Sequence, residues 1–369
     1  MAGRIGHVAP ALALADLPLL DDVAAEAQPE EVRTALDRRR LDVFIGDRRI
    51  GRDELRQAFR GKSVELTLPD AFSTVLQAKT LSSAAAVSKK GAKQGRPNRP
   101  RWTTLAYRPR LADLPHTAWL RSAKRGFVRP LVDEAIFGAE DRQAFVPSSW
   151  PWTCIGKLTT FVDGRFSGGG TATLVGARTI ATAAHVLPPE AWAGGNWSAL
   201  FKAAWYCSSS LVGAGGVSWI TGGRGYPSHE AGNDMAVLRL EQPLGDWIGF
   251  FGFRTYDDDW EGQSMWTHVG YPRALGMGDL PFRQSPISVY DDDNGPDDSL
   301  ELQHYGDAGN GDSGGPLFGW WPDGPYLVGV LSGNYRSSGF LGVGAYNHNV
   351  HAGGRALTRL CAHGRANWL

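Results

Sequence analysis

A serine flanked by glycines is the first residue in the sequence that could carry out covalent chemistry. It is Ser313, in the stretch Gly306–Leu317, which reads Gly-Asp-Ala-Gly-Asn-Gly-Asp-Ser-Gly-Gly-Pro-Leu. Neighbouring glycines permit positive φ angles and keep side chains away from whatever approaches the hydroxyl. Such a turn can also direct backbone N–H groups at one point, as an acyl-transfer site needs for its oxyanion. Taken alone, the stretch is also explained as a glycine-rich turn.

An upstream histidine could serve as the base for that serine. Within Gly168–Leu187 two strand-like runs meet at a turn, and the second run ends in Thr-Ala-Ala-His185. Imidazole titrates near neutral pH, which makes His185 a candidate general base. A lone histidine at a strand end is more often structural, so this residue needs support from its partners.

A carboxylate stands between the histidine and the serine in sequence. Asp234 lies at the start of an apolar run within Gly232–Leu240, where it would be partly buried. A buried carboxylate needs a hydrogen-bond donor, and an imidazole N–H is one. The alternative is a turn in which Asp234 caps its own backbone. The order His185, Asp234, Ser313 favours a shared site, because it is the order of a known catalytic triad.

These residues lie in motifs that resemble those of the trypsin-like serine peptidases of the chymotrypsin superfamily. Within that superfamily the chain is similar to the bacterial V8-like (glutamyl endopeptidase-like) branch. The likeness covers roughly Ile136–Asn349. The superfamily signatures are Thr182–His185, Asn233–Ala236 and Gly311–Pro316. The stretches similar to the branch are Ile136–Arg142, Trp150-Pro-Trp152, Gly270-Tyr-Pro272 and Asn347–Val350.

The resemblance implies a serine endopeptidase mechanism with no metal or organic cofactor. Ser313 would attack a peptide carbonyl, His185 would carry its proton to the leaving amine, and Asp234 would orient the imidazole. The N–H groups of Gly311 and Ser313 would form the oxyanion hole. The extended stretch expected to pair with the substrate backbone consists of Ser332, Gly333 and Asn334.

The specificity positions depart from the glutamyl endopeptidases. Members that prefer acidic residues tend to carry Thr or Ser where this chain has Ala308, and His where it has Leu331. Asp307 matches the position that attracts Lys or Arg in trypsin-like enzymes. We therefore treat a preference for basic residues as a hypothesis. Asp312 matches the carboxylate that binds a new N-terminal amine when such zymogens are cleaved, which suggests activation by removal of the N-terminal region.

The sequence predicts an all-β protease domain, with the chymotrypsin-like double β-barrel implied by the resemblance, after a small mixed α/β N-terminal region. Its 47 glycines separate short β-prone runs. In the N-terminal region, Glu30–Arg40 and Asp53–Phe59 are compatible with helices and Val64–Leu68 with a strand. No long amphipathic helix is expected in the protease domain. The predicted strands are Ile155–Val162, Thr171–Val175, Thr179–Ala183, Ala199–Tyr206, Met235–Leu240, Gln263–Val269, Leu300–His304 and Tyr326–Leu331.

The predicted domains are residues 1–87, of unknown role, a basic linker or pro-segment at 88–135, and the protease domain at 136–369. Between Lys89 and Arg129 twelve Lys and Arg residues stand against one acid, Asp113. Such a block could bind nucleic acid, but no nucleic-acid-binding motif accompanies it. A solvated tether or a pro-segment is therefore favoured, and no nucleic-acid partner is expected.

Composition excludes several classes of protein. The 369 residues are 42% hydrophobic with a formal net charge of zero, unlike a disordered chain. No apolar run is long enough to span a membrane. The three cysteines permit at most one disulfide. Val8–Leu20 is a poor secretory signal because Pro10 and Asp16 interrupt it, so both export and a cytoplasmic location stay open.

Three functions are compatible with these observations. The first is an active, secreted or exported serine endopeptidase that acts as a monomer on polypeptide substrates. The second is a catalytically silent trypsin-like binding or scaffold module, and the third is an intracellular protease. Two acidic runs, Asp257–Asp259 and Asp291–Asp298, could bind Ca²⁺, but they lack EF-hand spacing, and acidic turns on a solvated surface are commoner.

Overall fold

The computed structural model describes residues 12, 14, 17, 25–37, 43–45, 48–50, 82–83, 94–112, 135–226, 231–337 and 346–368. Most of their strands form two six-stranded barrels. The predicted helix at Asp53–Phe59 and the predicted strand at Val64–Leu68 lie outside the described residues. No helix within the described ranges is long and apolar enough to cross a membrane.

The described helices and strands are numbered in chain order. The helices are α1 (Glu30–Asp37), α2 (Pro189–Ala193), α3 (Leu244–Ile248) and α4 (Gly354–Asn367). The strands before the first barrel are β1 (Val43–Ile45), β2 (Arg48–Ile50), β3 (Ser82–Ser83), β4 (Gln94–Gly95), β5 (Arg110–Leu111) and β6 (Gln143–Val146). The next are β7 (Ile155–Val162), β8 (Arg165–Gly176), β9 (Thr179–Thr182), β10 (Trp197–Ala203), β11 (Trp205–Tyr206), β12 (Ser209–Ser210), β13 (Val217–Gly225) and β14 (Ala236–Leu240). The last are β15 (Gly252–Arg254), β16 (Ser264–Gly270), β17 (Phe282–Asn294), β18 (Ser299–His304), β19 (Pro316–Trp321), β20 (Gly324–Ser337) and β21 (Tyr346–Gly353).

The first barrel closes through antiparallel pairs in the order β10-β7-β8-β9-β14-β13, with β13 returning to β10. Register shifts between Thr160 and Phe161 and between Leu174 and Gly176 let the long strands bend, which closure requires. The barrel core consists of fully buried apolar side chains, among them Leu158, Leu174, Ile180, Phe201 and Leu238.

The second barrel has the order β16-β19-β20-β21-β18-β17, and β17 pairs back with β16. A layer of aromatic side chains packs on it, with Trp260, Trp266 and Trp321 in mutual ring contact. Fully buried imidazoles add polar groups, because His268 and His351 lie on strands of this barrel. The double β-barrel predicted from the motifs is therefore confirmed.

The C-terminal helix α4 packs on strands of both barrels, and the sequence interpretation did not include it. Its buried Leu357 and Leu360 share one apolar cluster with Val237 of the first barrel and Val330 of the second. From the same helix, the Arg365 guanidinium donates to three backbone carbonyls, those of Val175, Phe251 and Arg96. The helix thus fixes both barrels and the segment before them to one another.

Residues 94–112, within the predicted linker or pro-segment, pair with strands of the protease domain. β4 pairs with β15, and β5 pairs with β6. The indole of Trp102 donates to the Trp247 carbonyl at 2.8 Å, and the Tyr107 ring lies 4.8 Å from that of Trp320. The aromatic residues between the basic ones supply this packing, which a reading of charge alone overlooked. The proposed boundary near residue 135 stays a prediction.

Candidate active site

Strand pairing in the first barrel brings His185 and Asp234 together. β9 and β14 are antiparallel, and Thr182 at the end of β9 faces Ala236 at the start of β14. His185 follows β9 in a short 3₁₀ turn, Ala184–Val186, and Asp234 precedes β14. Both side chains therefore leave the barrel at the same end.

The Asp234 carboxylate holds the histidine at two points. Its Oδ1 accepts the backbone N–H of His185 at 2.9 Å, and its Oδ2 lies 2.5 Å from the ring Nδ1. The Asp234 side chain is only 4% exposed, whereas the imidazole is 33% exposed. The carboxylate thus lies beneath the ring, and the ring remains accessible from solvent.

Ser332 is a third group on the same carboxylate. Its Oγ donates to Asp234 Oδ2 at 2.8 Å. The sequence suggested Ser332 only for binding substrate backbone, so this contact was missed. Ser332 therefore adds a hydrogen bond from the second barrel to the carboxylate that also holds His185. The serine also ties β20 of the second barrel to the base of the first.

The loop that carries Ser313 is fixed to both barrels. The Ser313 carbonyl accepts the Thr171 N–H of β8 at 2.8 Å. On the other side, the N–H of Gly314 donates to the Leu331 carbonyl, and the N–H of Leu331 donates to the Gly315 carbonyl, both at 2.8 Å. Gly314 has a φ of +79°, and a Cβ there would lie 2.1 Å from the Thr182 hydroxyl. Only glycine fits at this contact between the loop and the first barrel.

His185 and Ser313 line one cleft of about 280 Å³. The β7–β8 hairpin contributes Thr160 and Ser167–Gly169, and the chain after His185 contributes Val186–Pro189. The second barrel contributes Arg273 and Asn310. The structure therefore brings the predicted serine and histidine to the same cleft, with Asp234 behind the histidine.

Asp312 forms a buried ion pair with Arg142, a residue whose role the sequence interpretation missed. The side chains of Arg142 and Asp312 are 3% and 0% exposed, and Arg142 also pairs with Glu140 at 2.6 Å. Burial opposes the charge on Arg142, but the carboxylates of Asp312 and Glu140 outweigh it and raise the pKa of the guanidinium. The cation on Asp312 is therefore an arginine of the uncut chain, whereas the motif had suggested a new N-terminal amine.

Asp307 and Ala308 are both buried against the segment that precedes β6. The two carboxylate oxygens of Asp307 accept the backbone N–H groups of Phe137, at 2.8 Å, and Asp141, at 3.0 Å. The Ala308 N–H donates to the Ala135 carbonyl at 3.1 Å. Burial raises the pKa of Asp307, although these backbone donors counteract it. Because both oxygens hold the protein's own backbone, the geometry does not support Asp307 as the acidic base of a substrate pocket.

The other predicted substrate-binding residues follow Ser332 on β20. A Cβ at Gly333 would meet no atom within 4 Å, so the strand is open there. The register between β20 and β21 shifts between Leu331 and Gly333. The Asn334 amide donates to the His348 carbonyl at 2.9 Å, within the sheet. Gly333 is therefore the accessible point of this stretch.

The structure also gives the positions of the cysteines and of an acidic run that the sequence had suggested as a possible Ca²⁺ site. Among the described residues, no three His, Cys, Asp or Glu side chains are arranged to hold a metal ion. Cys154, Cys207 and Cys361 are all unpaired thiols. Residues Asp291–Asn294, read as an acidic turn, form the end of strand β17.

Comparisons with known proteins identify the family of the chain. The trypsin family model matches residues 141–349, which is more than half of the chain. Glutamyl endopeptidase of Bacillus licheniformis is 22% identical over 256 residues, a stretch that covers 65% of this chain and 70% of that protein.

Two solved structures were also found to be similar. A Glu endopeptidase in complex with MPD has a TM-score of 0.49 at 16% identity, and it covers 63% of this chain and 100% of its own. The protease Anisep from Arthrobacter nicotinovorans has a TM-score of 0.43 at 17% identity, with 61% and 100% covered. The match of the family model confirms the trypsin-like assignment made from the motifs. The chain belongs to the trypsin family and is a serine endopeptidase.

Proposed function

We propose that the protein hydrolyses peptide bonds through a His185–Asp234–Ser313 triad and a covalent acyl-enzyme. The observation that carries this proposal is the pair of hydrogen bonds from His185 to Asp234, one from the backbone N–H and one from Nδ1. Because Nδ1 donates to the carboxylate, Nε2 is left as the basic nitrogen of the ring. A serine in the same cleft then has a base with the correct tautomer beside it.

The reaction would proceed in two halves. Ser313 Oγ attacks the carbonyl carbon while His185 Nε2 takes the hydroxyl proton, and Asp234 stabilises the resulting imidazolium. His185 then passes the proton to the leaving amine as the C–N bond breaks. In the second half, a water molecule gives its proton to His185 and attacks the acyl ester. The ester bond breaks, Ser313 Oγ takes the proton back from His185, and the carboxylic acid product leaves.

Backbone N–H groups of Gly311 and Ser313 would stabilise the oxyanion. The Asn310 carbonyl accepts the Arg273 N–H at 2.6 Å, and the Asp312 carbonyl accepts the Gly315 N–H at 2.7 Å. In a planar trans peptide the N–H points opposite to the carbonyl. The N–H groups of Gly311 and Ser313 therefore point away from these bonds, which supports their assignment to the oxyanion hole.

No preference for a charged residue before the scissile bond is part of this proposal. Asp307 is engaged by backbone donors, and the buried side chains of Ala308 and Leu331 offer no polar atom. The similar protein from Bacillus licheniformis is named a glutamyl endopeptidase. In this chain neither of these two positions offers a polar side chain that could bind a glutamate.

Labelling with a fluorophosphonate probe tests the proposal. We expect stoichiometric labelling of the folded protein, abolished by Ser313→Ala and unchanged by Ser288→Ala, which alters a surface hydroxyl on β17. A folded protein that resists the probe and cleaves no peptide would contradict the proposal and favour the silent binding module.

Export and processing are separate parts of the proposal. We propose a secreted enzyme whose N-terminal region is removed, and Asp312 does not take part in this switch because Arg142 already neutralises it. Detection of the protein in culture supernatant, with intact-mass analysis, tests both points. A fully active 369-residue chain confined to the cytosol would contradict them.

A further inference from the structure

One permanently charged side chain lines the cleft at the triad. It is Arg273, which is exposed and forms no ion pair with a described carboxylate. Among the described residues that line the cleft, it alone carries a permanent charge. We propose that Arg273 selects a carboxylate side chain in the leaving half of the substrate, at one of the first two residues after the scissile bond. This inference rests on the proposed function.

The cleft lies on the side of the departing peptide. The acyl half of a substrate would pair with Ser332–Asn334, and none of these residues lines the cleft. His185 must pass its proton to the leaving amine, so the leaving half has to lie on the accessible side of the imidazole. The cleft contains that ring together with the β7–β8 hairpin and Arg273. A charge in this space therefore faces residues after the scissile bond.

The position of Arg273 relative to Ser313 is fixed by the backbone. Its N–H donates to the Asn310 carbonyl at 2.6 Å, three residues before Ser313. A Cβ at Gly311 would lie 2.3 Å from the Tyr271 carbonyl, so the two chain segments are in direct contact. The guanidinium lies 5.9 Å from the ring centroid of Phe166, on the β7–β8 hairpin. Arg273 is thus held between the hairpin and the nucleophile loop.

The nearby acidic group is already engaged. Asp279 accepts from the Trp205 indole at 2.6 Å and from the Ser208 hydroxyl at 2.5 Å, and it lies 3.8 Å from Lys157 Nζ. Burial lowers the pKa of Lys157, and the charge of Arg273 adds to that effect against Asp279. The positive charge of Arg273 is therefore left for an incoming ligand. A carboxylate satisfies it with paired hydrogen bonds.

Internally quenched peptides that differ only after the scissile bond test this inference. One acyl half is joined to leaving halves with Glu, Gln or Lys at the first or second position. At low salt, kcat/KM should favour Glu over Lys by about threefold to tenfold, the range expected for one exposed charge pair. The ratio should approach one in Arg273→Gln and invert in Arg273→Glu. Arg355→Gln, which removes an equal charge from α4, should leave it unchanged.

A nitrophenyl ester that shares the acyl half separates the two proposals. It has no leaving peptide, so its turnover in Arg273→Gln reports whether the triad itself still works in that variant. An unchanged Glu-to-Lys ratio in Arg273→Gln, with ester turnover intact, overturns this inference alone. Loss of both ester turnover and fluorophosphonate labelling in the wild type overturns the proposed function and this inference with it. A ratio that falls with added NaCl supports the charge pair.

Discussion

The two barrels share one strand architecture and differ in what they bury. The interior of the first consists of apolar side chains, the Cys154 thiol and threonine hydroxyls, and its catalytic candidates, His185 and Asp234, leave at the end of the barrel. The second barrel buries ionisable groups outright. Its strands carry three histidines that are at most 1% exposed, and the Arg142–Asp312 pair supports its nucleophile loop.

The buried histidines form a chain that spans the second barrel. The Gly306 N–H donates to His304 Nδ1, His304 Nε2 lies 2.7 Å from His351 Nδ1, and His351 Nε2 lies 3.1 Å from His268 Nδ1. The His268 ring then lies against Gly315, where a Cβ would meet it at 2.8 Å. The chain therefore connects the two ends of the nucleophile loop. The halves of the site thus differ in kind, because only the serine half is supported by a chain of fully buried imidazoles.

The largest expected effect separates catalysis from stability in the first barrel. Asp234→Asn should lower kcat about 10⁴-fold, because the amide stabilises the wrong imidazole tautomer and cannot support an imidazolium. The barrel core does not depend on this carboxylate, so the melting temperature should change by only a few degrees. Steady-state kinetics and calorimetry measure the two effects. Asp163→Asn, at the exposed β7–β8 turn, is the matched control and should change neither.

In the second barrel, loss of one ionic partner should affect both properties. Arg142→Met leaves the Asp312 carboxylate buried without its cation, which typically costs about 3–5 kcal/mol of unfolding free energy. Asp312 precedes Ser313, so displacement of the loop should also reduce kcat, roughly 10²-fold. Urea denaturation and burst-phase titration of active sites measure these changes.

Two further variants control for the loss of an arginine. Arg142→Lys keeps the charge and should recover part of both effects. Arg359→Met removes an arginine whose partner, Asp298, is 59% exposed and can be solvated by water. Its cost should be smaller and kcat should not change. Equal losses in Arg142→Met and Arg359→Met would contradict the importance of burial for the first pair.

Acid should weaken the second barrel through its histidine chain. Burial lowers the pKa of His268 and of His304 to about 3, and that of His351 well below its ordinary value of 6.5. Since the folded pKa lies below the unfolded one, the neutral rings stabilise the fold fully above pH 6.5. This stability is lost as the pH falls from 6.5 towards 3. Each such histidine can lower the free energy of unfolding by up to about 1.4 kcal/mol per pH unit.

Urea titrations between pH 7.5 and 4.5 measure this slope. His351→Leu should be less stable at pH 7.5, because two imidazoles lose a partner, but its stability should fall less steeply with acid. His363→Leu, which removes a half-buried ring on α4, should change the slope less. If the wild type were equally stable at pH 7.5 and 4.5, a chain of neutral buried histidines would be excluded.

Local sequence signals predicted the first barrel well and the second less completely. The strand predicted at Ile155–Val162 has the same bounds as β7. The prediction succeeded because the residues that define this strand are consecutive in the sequence. The glycines around Ser313 were informative because close backbone contacts require them. The motif residues were therefore identified, but the interactions that hold them were not.

What the sequence could not show depends on contacts between distant residues. Arg142 and Asp312 are 170 positions apart, and nothing local marks them as a pair. Asp291–Asn294 resembles a turn by composition, but pairing with β18 makes it a strand. The motif Ile136–Arg142 did contain a usable signal, since it ends in the arginine that proves to be buried.

The smallest expected effect arises where two acidic runs meet on the outside of the second barrel. Partial burial, together with Asp258, Glu261 and Asp291, raises the pKa of Asp292 to about 6. Its folded pKa lies above the usual 3.8, so its stabilising contribution is complete below pH 3.8 and is lost as the pH rises through 6. Asp292→Asn should therefore raise the melting temperature at pH 8 by about 1–2 °C, a shift expected of a fraction of a kcal/mol.

The pH dependence of the gain in melting temperature distinguishes the effect of this surface carboxylate from that of the buried histidines in the same barrel. The advantage of Asp292→Asn over the wild type should disappear near pH 4.5, where the native carboxyl is already protonated. Asp259→Asn removes an equal charge from the other acidic run, Asp257–Asp259, and should show a smaller gain at pH 8. On acidification the buried histidines lower the free energy of unfolding, whereas Asp292 raises it. The sign of the slope of stability against pH therefore identifies which group dominates at each pH. A gain for Asp292→Asn that persists at pH 4.5 would show that it does not come from charge repulsion.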